Sequence, residues 1–160
     1  MNKRDDDLIL RFWAKVKKTK TCWLWQGATA GGYGQIHYRG KLEYAHRIAY
    51  EWSHGAIPAG LVVDHTCHNR GCVNPSHLRP ATYGQNSQNR QGPQKRAKSG
   101  VRGVFWDKHN NKWVAGARLN NKYVNLGRYD SIRDAEVAVT EWRRKHMPYS
   151  MMDQRRGKAA

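Results

Sequence analysis

The sequence predicts an α+β protein built from two small units in series, and three observations carry that reading. Hydrophobic periodicity alternates along the chain between the two-residue repeat of strands and the three-to-four-residue repeat of helices. A composition shift after Asn89-Arg90 separates an N-terminal half that contains every cysteine from a C-terminal half that contains none. Between the halves, residues 91–98 lack any apolar period and are rich in Gly, Pro, Lys and Arg, as a linker is.

The elements follow in order. Leu8, Phe12 and Val16 fall on one face of a short helix. Cys22-Trp23-Leu24-Trp25 reads as a strand leading into a glycine-rich turn. Residues 33–38 and 41–44 flank Arg39-Gly40 as the arms of a hairpin. Ala45, Ile48, Ala49 and Trp52 make the apolar stripe of a helix that stops near Gly55 and Pro58. Leu61-Val62-Val63 is a short buried strand that delivers Asp64 and His65 at its end. Past the linker, strands are expected over 101–106, 112–119 and 122–126, with an Asn120-Asn121 turn whose residues tolerate positive φ. A helix begins near Ser131, where Ser131 and Asp134 stand in a capping arrangement, and shows Ala135, Ala138, Val139 and Trp142 on one face. The units are thus residues 1–90 and 99–148, and 149–160 reads as a disordered basic tail.

Charge narrows the partners. Against 12 Asp and Glu the chain carries 29 Lys and Arg, a formal net charge of +17 over 160 residues, and the basic residues occur in every third of it. Such a distribution suits a protein lying along double-stranded nucleic acid rather than one with a single amphipathic membrane helix. No apolar run approaches the roughly 20 residues needed to span a bilayer, which excludes a membrane partner at this stage. The polar start is unlike a secretory leader, so a reducing cytoplasm is the expected location. Three cysteines do not close a disulfide framework, and metal ligation is the better use of them.

Two of those cysteines lie in Asp64-His65-Thr66-Cys67-His68-Asn69-Arg70-Gly71-Cys72-Val73-Asn74-Pro75-Ser76-His77-Leu78, followed by Gln85-Asn86. Cys67-x4-Cys72-x4-His77 offers three ligands of the kind zinc prefers, in a polar loop that would not bury free thiols. Cys22 is the natural fourth, with His46 and His68 as rivals. Asp64, His65 and Asn86 are a different set, with the base and hard oxygen donors that phosphodiester hydrolysis needs.

His65-x-Cys67-x4-Cys72-x4-His77-x8-Asn86, with Asn74-Pro75 inside it, resembles the His-Cys box homing endonucleases of the HNH (ββα-metal) superfamily. It is also similar to phage and intron HNH enzymes, which carry an Asp-His pair and a downstream Asn. The resemblance covers roughly residues 20–90. It implies a zinc-stabilised ββα-metal nuclease domain with Cys22, Cys67, Cys72 and His77 as a structural zinc cage. It further implies His65 as general base and Asn86 as ligand of a catalytic Mg²⁺, for which Mn²⁺ can substitute. Arg39, seven residues before His46, is placed as a basic residue near the scissile phosphate. Asp64 departs from the His-Cys box pattern, matches the phage one, and is read as a second Mg²⁺ ligand. Asn89 and Arg90, three and four residues past Asn86, would share its helical face and reach DNA.

Residues 99–147 resemble the plant Apetala-two/ethylene-response-factor DNA-binding domain, through Arg102-Gly103-Val104, Lys112 to Arg118 and Leu126-Gly127. That family lays a three-stranded antiparallel sheet, packed on one helix, into the major groove. Alternation puts Trp113, Ala115, Ala117, Leu119, Val124 and Leu126 towards the helix. Arg102, Val104, Trp106, Lys112, Arg118, Tyr123 and Asn125 then face outward, and of these Arg102, Trp106, Lys112, Arg118, Tyr123 and Asn125 are expected to meet DNA. Tyr123 and Asn125 stand where the plant domains have Arg and Trp, so their target sequence does not transfer.

Together these features predict a site-specific DNA endonuclease of homing type. The alternatives are a zinc-stabilised DNA-binding regulator without catalysis, and a restriction or defence HNH nuclease using the same chemistry. With a single catalytic motif per chain, cutting both strands would require a homodimer or sequential action.

Overall fold

The computed structural model describes residues 3–93 and 97–156, and the chain divides into two compact units, Met1–Tyr83 and Gly84–Ala160. Most of the expected elements form, several with shifted ends. In the first unit α1 (Lys3–Trp13) stops before Val16, which instead opens β1 (Val16–Lys18) and pairs across to Trp25 of β2 (Trp23–Trp25). Then come β3 (Thr29–Ala30), β4 (Tyr33–Tyr38) and β5 (Lys41–Tyr44), an antiparallel sheet in the order β3-β4-β5. The β3–β4 turn is Gly31-Gly32 and the β4–β5 turn is Arg39-Gly40, all four at positive φ, a geometry glycine adopts freely and arginine does not. Helix α2 (Ala45–His54) follows directly, burying Ala45, His46, Ile48, Ala49 and Tyr50.

After α2, β6 (Val62–His65) pairs antiparallel with β7 (Leu78–Ala81), Asp64 opposite Arg79 and His65 opposite Leu78. The β7 strand includes Pro80; a two-stranded ladder tolerates it because a proline lacking its N–H can still sit on an open edge. Leu8, Phe12, Trp25, Ile36, Ile48, Val63, Val73 and Leu78 form the core. Trp25 is its keystone. Its indole N–H donates to Ala28 O at 3.0 Å, and a Cβ at Gly34 would come within 2.5 Å of its ring, so only glycine fits there.

The second unit starts earlier than residue 99. It takes in most of α3 (Tyr83–Gln88), and the segment after that helix is tied into it. Arg102 donates to the carbonyls of Gln88 and Arg90, while Asn89 Oδ1 accepts from Met151 N at 3.2 Å. The expected boundary at residue 90 is therefore corrected. Of the expected linker 91–98, residues 94–96 lie outside the described residues. The strands β8 (Val104–Asp107), β9 (Lys112–Leu119) and β10 (Lys122–Tyr129) form an antiparallel sheet in the order β10-β9-β8. Against it packs α4 (Ile132–His146), capped as expected, with Ser131 Oγ accepting from Asp134 N at 3.0 Å. Val104, Ala115, Ala117, Ala135, Val139 and Met147 are its buried core.

Two expectations fail in this unit. The tail expected to be disordered forms α5 (Met151–Arg156), with 157–160 outside the described residues. The cause is a buried ion pair: Arg143 donates to both carboxylate oxygens of Asp153, at 2.9 and 3.0 Å, and Ser150 also donates to that carboxylate. Burial opposes ionisation of Asp153, but the hydrogen bonds from Arg143 and Ser150 outweigh it and hold its pKa below the ordinary value. The second failure is one of phase. Val104 pairs with Ala115 and Trp106 with Trp113, and cross-strand partners share a face. Val104 and Trp106 therefore lie on the helix side, with the Trp106 and Trp113 rings 4.9 Å apart in a T-shaped contact. A parity error of one residue moves a whole strand to the other face.

Candidate active site and metal cluster

Strand β6 carries its two polar residues into the interior. Asp64 is 4 % exposed and accepts from Nε and an Nη of Arg79, both at 2.9 Å, both on Oδ2. Arg79 faces it across the ladder, so the pair is a product of the register. His65 is 6 % exposed, and its Nε2 lies 3.0 Å from the carbonyl oxygen of Cys72. A carbonyl only accepts, so Nε2 carries the proton and Nδ1 is the basic nitrogen of the ring. Burial lowers the His65 pKa, against opposing influences from the Cys72 contact and Asp64, and keeps the ring neutral near neutral pH.

Aromatic rings surround this imidazole. His46 of α2 lies 4.7 Å away and Tyr33 of β4 5.9 Å away, centroid to centroid. Burial, then the charges of His65 and Arg47, push the His46 pKa down to about 3. His46 is thus a neutral packing partner of His65, a role its sequence neighbourhood on an apolar helix gave no means of telling from zinc ligation.

The cysteine loop supplies the second feature. Cys72 forms a bridge to Leu24, Trp25 N donates to Gly71 O, and Val73 N donates to Trp23 O, so the loop continues the sheet edge of β2. That docking brings Cys22 to Cys67, Cys72 and His77, and the four ligand atoms lie within 4.8 Å of one another. His77 is presented by a 3₁₀ turn, Pro75–His77, capped by Asn74 accepting from Ser76 N at 3.1 Å. His77 Nδ1 is 3.5 Å from Cys72 Sγ and 3.8 Å from Cys22 Sγ. Zinc bonds of about 2.3 Å to sulfur and 2.0–2.1 Å to nitrogen at the tetrahedral angle set that edge at about 3.6 Å. The thiols also disturb one another. Hydrogen bonding from Cys67 pulls Cys72 well down, and the same contact pushes Cys67 up, a conflict that a divalent ion relieves. The cluster could therefore hold zinc, with Cys22 and not His46 or His68 as the fourth ligand.

Other expected residues are placed less compactly. Arg39 caps the far end of the β4–β5 hairpin and stacks on Tyr38, 5.0 Å from that ring. Extended chain at about 3.3 Å per residue sets Arg39 about 20 Å along the strand from Tyr33, the residue that touches His65. The structure does not bring Arg39 to His65. Asn86 is exposed on α3. Asn89 is buried beyond the end of that helix and serves the backbone of Met151, so it does not share an open face with Asn86; Arg90 is exposed. Arg102 donates to backbone carbonyls, and Trp106, still 39 % exposed, lies edge-on to Trp113 on the helix side of the sheet. Lys112 is ion-paired with Asp130, and Asn125 Oδ1 caps the strand irregularity at Gly127 N. Arg118 and Tyr123 remain on the open face as expected, and the sequence reading passed over Phe105, 50 % exposed beside them in alternation.

Residues 43–88 match the HNH endonuclease family. Protein 2.8 of Escherichia phage T7 is 42 % identical over 77 residues, 46 % of this chain and 52 % of that protein. Protein 7.7 of the same phage is 42 % identical over 62 residues, 39 % of this chain and 48 % of that one. An uncharacterized gene 5.3 protein of Enterobacteria phage T3 is 52 % identical over 33 residues, 21 % of this chain and 33 % of its own. The chain spans about half the length of the two T7 relatives it matches. No solved structure matches it. Among the described residues no helix is long and apolar enough to cross a membrane.

Proposed function

We propose that the chain is a site-specific, metal-dependent DNA endonuclease of homing type, cutting with the HNH segment and gripping DNA with the sheet of the second unit. The observation that carries the reading is His65, neutral, buried at the end of β6 and fixed in one tautomer by the Cys72 carbonyl, inside the segment matching HNH endonucleases. His65 Nδ1 takes a proton from water as the water oxygen bonds to phosphorus. The P–O3′ bond breaks, the leaving oxygen takes a proton from solvent, His65 later returns its proton to solvent, and the products are a 5′-phosphate and a 3′-hydroxyl. The Cys72 carbonyl holds the imidazole in register and stabilises the imidazolium that forms.

The Asp64 carboxylate is assigned to a Mg²⁺-type ion, being the hard oxygen donor it prefers, and Asn86 carries the same assignment from the sequence resemblance alone. When bound, such an ion supplies charge stabilisation to the phosphate and the leaving oxygen. Arg79 orients the Asp64 carboxylate through its two contacts to Oδ2. The cysteine cage is structural, fixing the loop that carries the Cys72 carbonyl. On the second unit, Phe105, Arg118 and Tyr123 supply the face for duplex DNA, and a homodimer would cut both strands.

The test is plasmid cleavage with Mg²⁺ and with EDTA, scored for nicked and linear product. Wild type should cut only with the ion. His65→Ala should abolish cutting while holding DNA affinity within a few-fold; cleavage retained by that variant sinks the general-base assignment.

A further inference from the structure

Near His65 stands a cationic side chain with no part in the proposed base or ion ligands. Arg70 lies in the loop between Cys67 and Cys72, exposed, yet its side chain is held at three points. Its Nη1 donates to Gly31 O at 3.1 Å. Its guanidinium carbon stands 5.3 Å from the centre of the Tyr33 ring. Its stem runs past Gly32, where an added Cβ would meet Arg70 Cδ at 3.6 Å. The Gly31-Gly32 turn, at φ +57° and +85°, makes this possible by turning a carbonyl and a bare Cα towards the side chain.

An exposed arginine ordinarily samples many rotamers, and each restraint removes some of that freedom. Fixing a guanidinium beside an aromatic ring leaves its planar fork ready for an oxyanion, the geometry that arginine supplies and lysine does not. Among the described residues no carboxylate pairs with it. Tyr33, which carries it, is the same ring that lies 5.9 Å from His65.

We propose that Arg70 is the residue that grips the scissile phosphate beside His65, its guanidinium donating to a non-bridging oxygen. The proposal rests on the nuclease reading and gives to Arg70 the part that the resemblance implied for Arg39. The same grip, made before reaction, would tighten as charge builds on the phosphorus oxygens, which places its effect mainly in the chemical step.

Arg70→Gln keeps the stem as far as Cδ and an amide N–H but removes the charge. It is compared with wild type, Arg70→Lys and Arg39→Gln, each first checked for zinc content. Single-turnover cleavage of a saturating duplex with Mg²⁺ should fall about 10²–10³-fold in R70Q, the loss typical of one oxyanion donor. R70K should recover part of it. Binding of the same duplex without added divalent ion should lose about 0.9 from the slope of log K against log salt in R70Q, one phosphate contact fewer. Zinc-loaded R70Q that cuts within about threefold of wild type overturns the proposal, as does R39Q losing the rate while R70Q keeps it. If wild type itself fails to cut, the nuclease reading falls, and the salt slope still judges Arg70: an unchanged slope in R70Q removes the phosphate contact.

Discussion

Met1–Tyr83 and Gly84–Ala160 each have too few residues for a large core, and they make up the deficit by different means. The first packs aromatic rings tightly, Phe12 lying 5.1 Å from Trp25 and 4.9 Å from Trp52, and then closes its longest loop with three thiols and an imidazole. The second has a thinner apolar core of small side chains and ties its C-terminal helix down with a buried arginine–aspartate pair. The contrast suits the two tasks proposed. A base and a phosphate ligand must be held to fractions of an ångström, which coordination bonds do well. A sheet that follows a groove needs only a stiff platform.

The largest effect expected breaks the first unit alone. Cys72→Ser removes a ligand from the centre of the loop, and structural zinc in small sites contributes about 10–16 kcal/mol. That exceeds what a small domain has to spare. The variant should lose its zinc by elemental analysis and lose the dispersed NMR resonances of residues 7–83, while those of β8 to α4 stay in place. Loss of both sets together would show that the units do not fold separately.

The matching experiment on the second unit is milder. Asp153→Asn keeps the shape and leaves Arg143 buried without its counter-charge, and breaking such a pair costs about 3–5 kcal/mol. Calorimetry should show the unit containing α4 and α5 melting earlier, the zinc-bearing unit unchanged. The pH dependence has a definite sign. The Asp153 pKa is depressed by folding, so the stability it adds is complete above the ordinary value of 3.8 and drains away as pH falls below it. In D153N the acid-side loss from the second unit should shrink, leaving only the share of other depressed carboxylates such as Asp107.

How much of this was legible in the sequence depended on whether a signal was local. The cysteine–histidine loop could be read because zinc ligands must be close in space, and Cys67, Cys72 and His77 are also close in sequence. Cys22 required a guess about which strand lies beside them, which the edge pairing of Leu24 with Cys72 bears out. The Ser131 cap, the Arg39-Gly40 turn and the α2 stripe are local as well. What failed was relational. Arg70 meets Tyr33 only because a glycine turn and a cysteine loop, 39 residues apart in the hydrogen bond they share, fold together. Asp153 sits in a run of polar and basic residues and betrays nothing of the arginine ten residues earlier that buries it. The sequence predicts no strand over Leu78–Ala81, yet Pro80 pairs there with Val63.

The smallest effect tests the parity of β8, and it separates the two faces of one sheet. If Trp106 were on the outer face with Arg118, truncating either would weaken DNA binding. With Trp106 paired to Trp113 on the helix side, the two substitutions should part company. Trp106→Ala should lower stability, the aromatic contact alone being worth about 1 kcal/mol beyond its burial, and leave the salt dependence of binding as it was. Arg118→Ala should leave the melting temperature alone and lower the salt slope by about 0.9, since Arg118 stands exposed across from Tyr123 on the open face. Gly116 explains why that face can be flat enough to follow a groove. A Cβ there would fall within 2.2 Å of the Tyr123 hydroxyl, so the tyrosine ring lies across the bare backbone of β9 instead of standing up from it. Gly116→Ala should lift that ring and weaken binding without touching a charge, and a variant that binds as wild type would mean that Tyr123 is not part of the DNA surface.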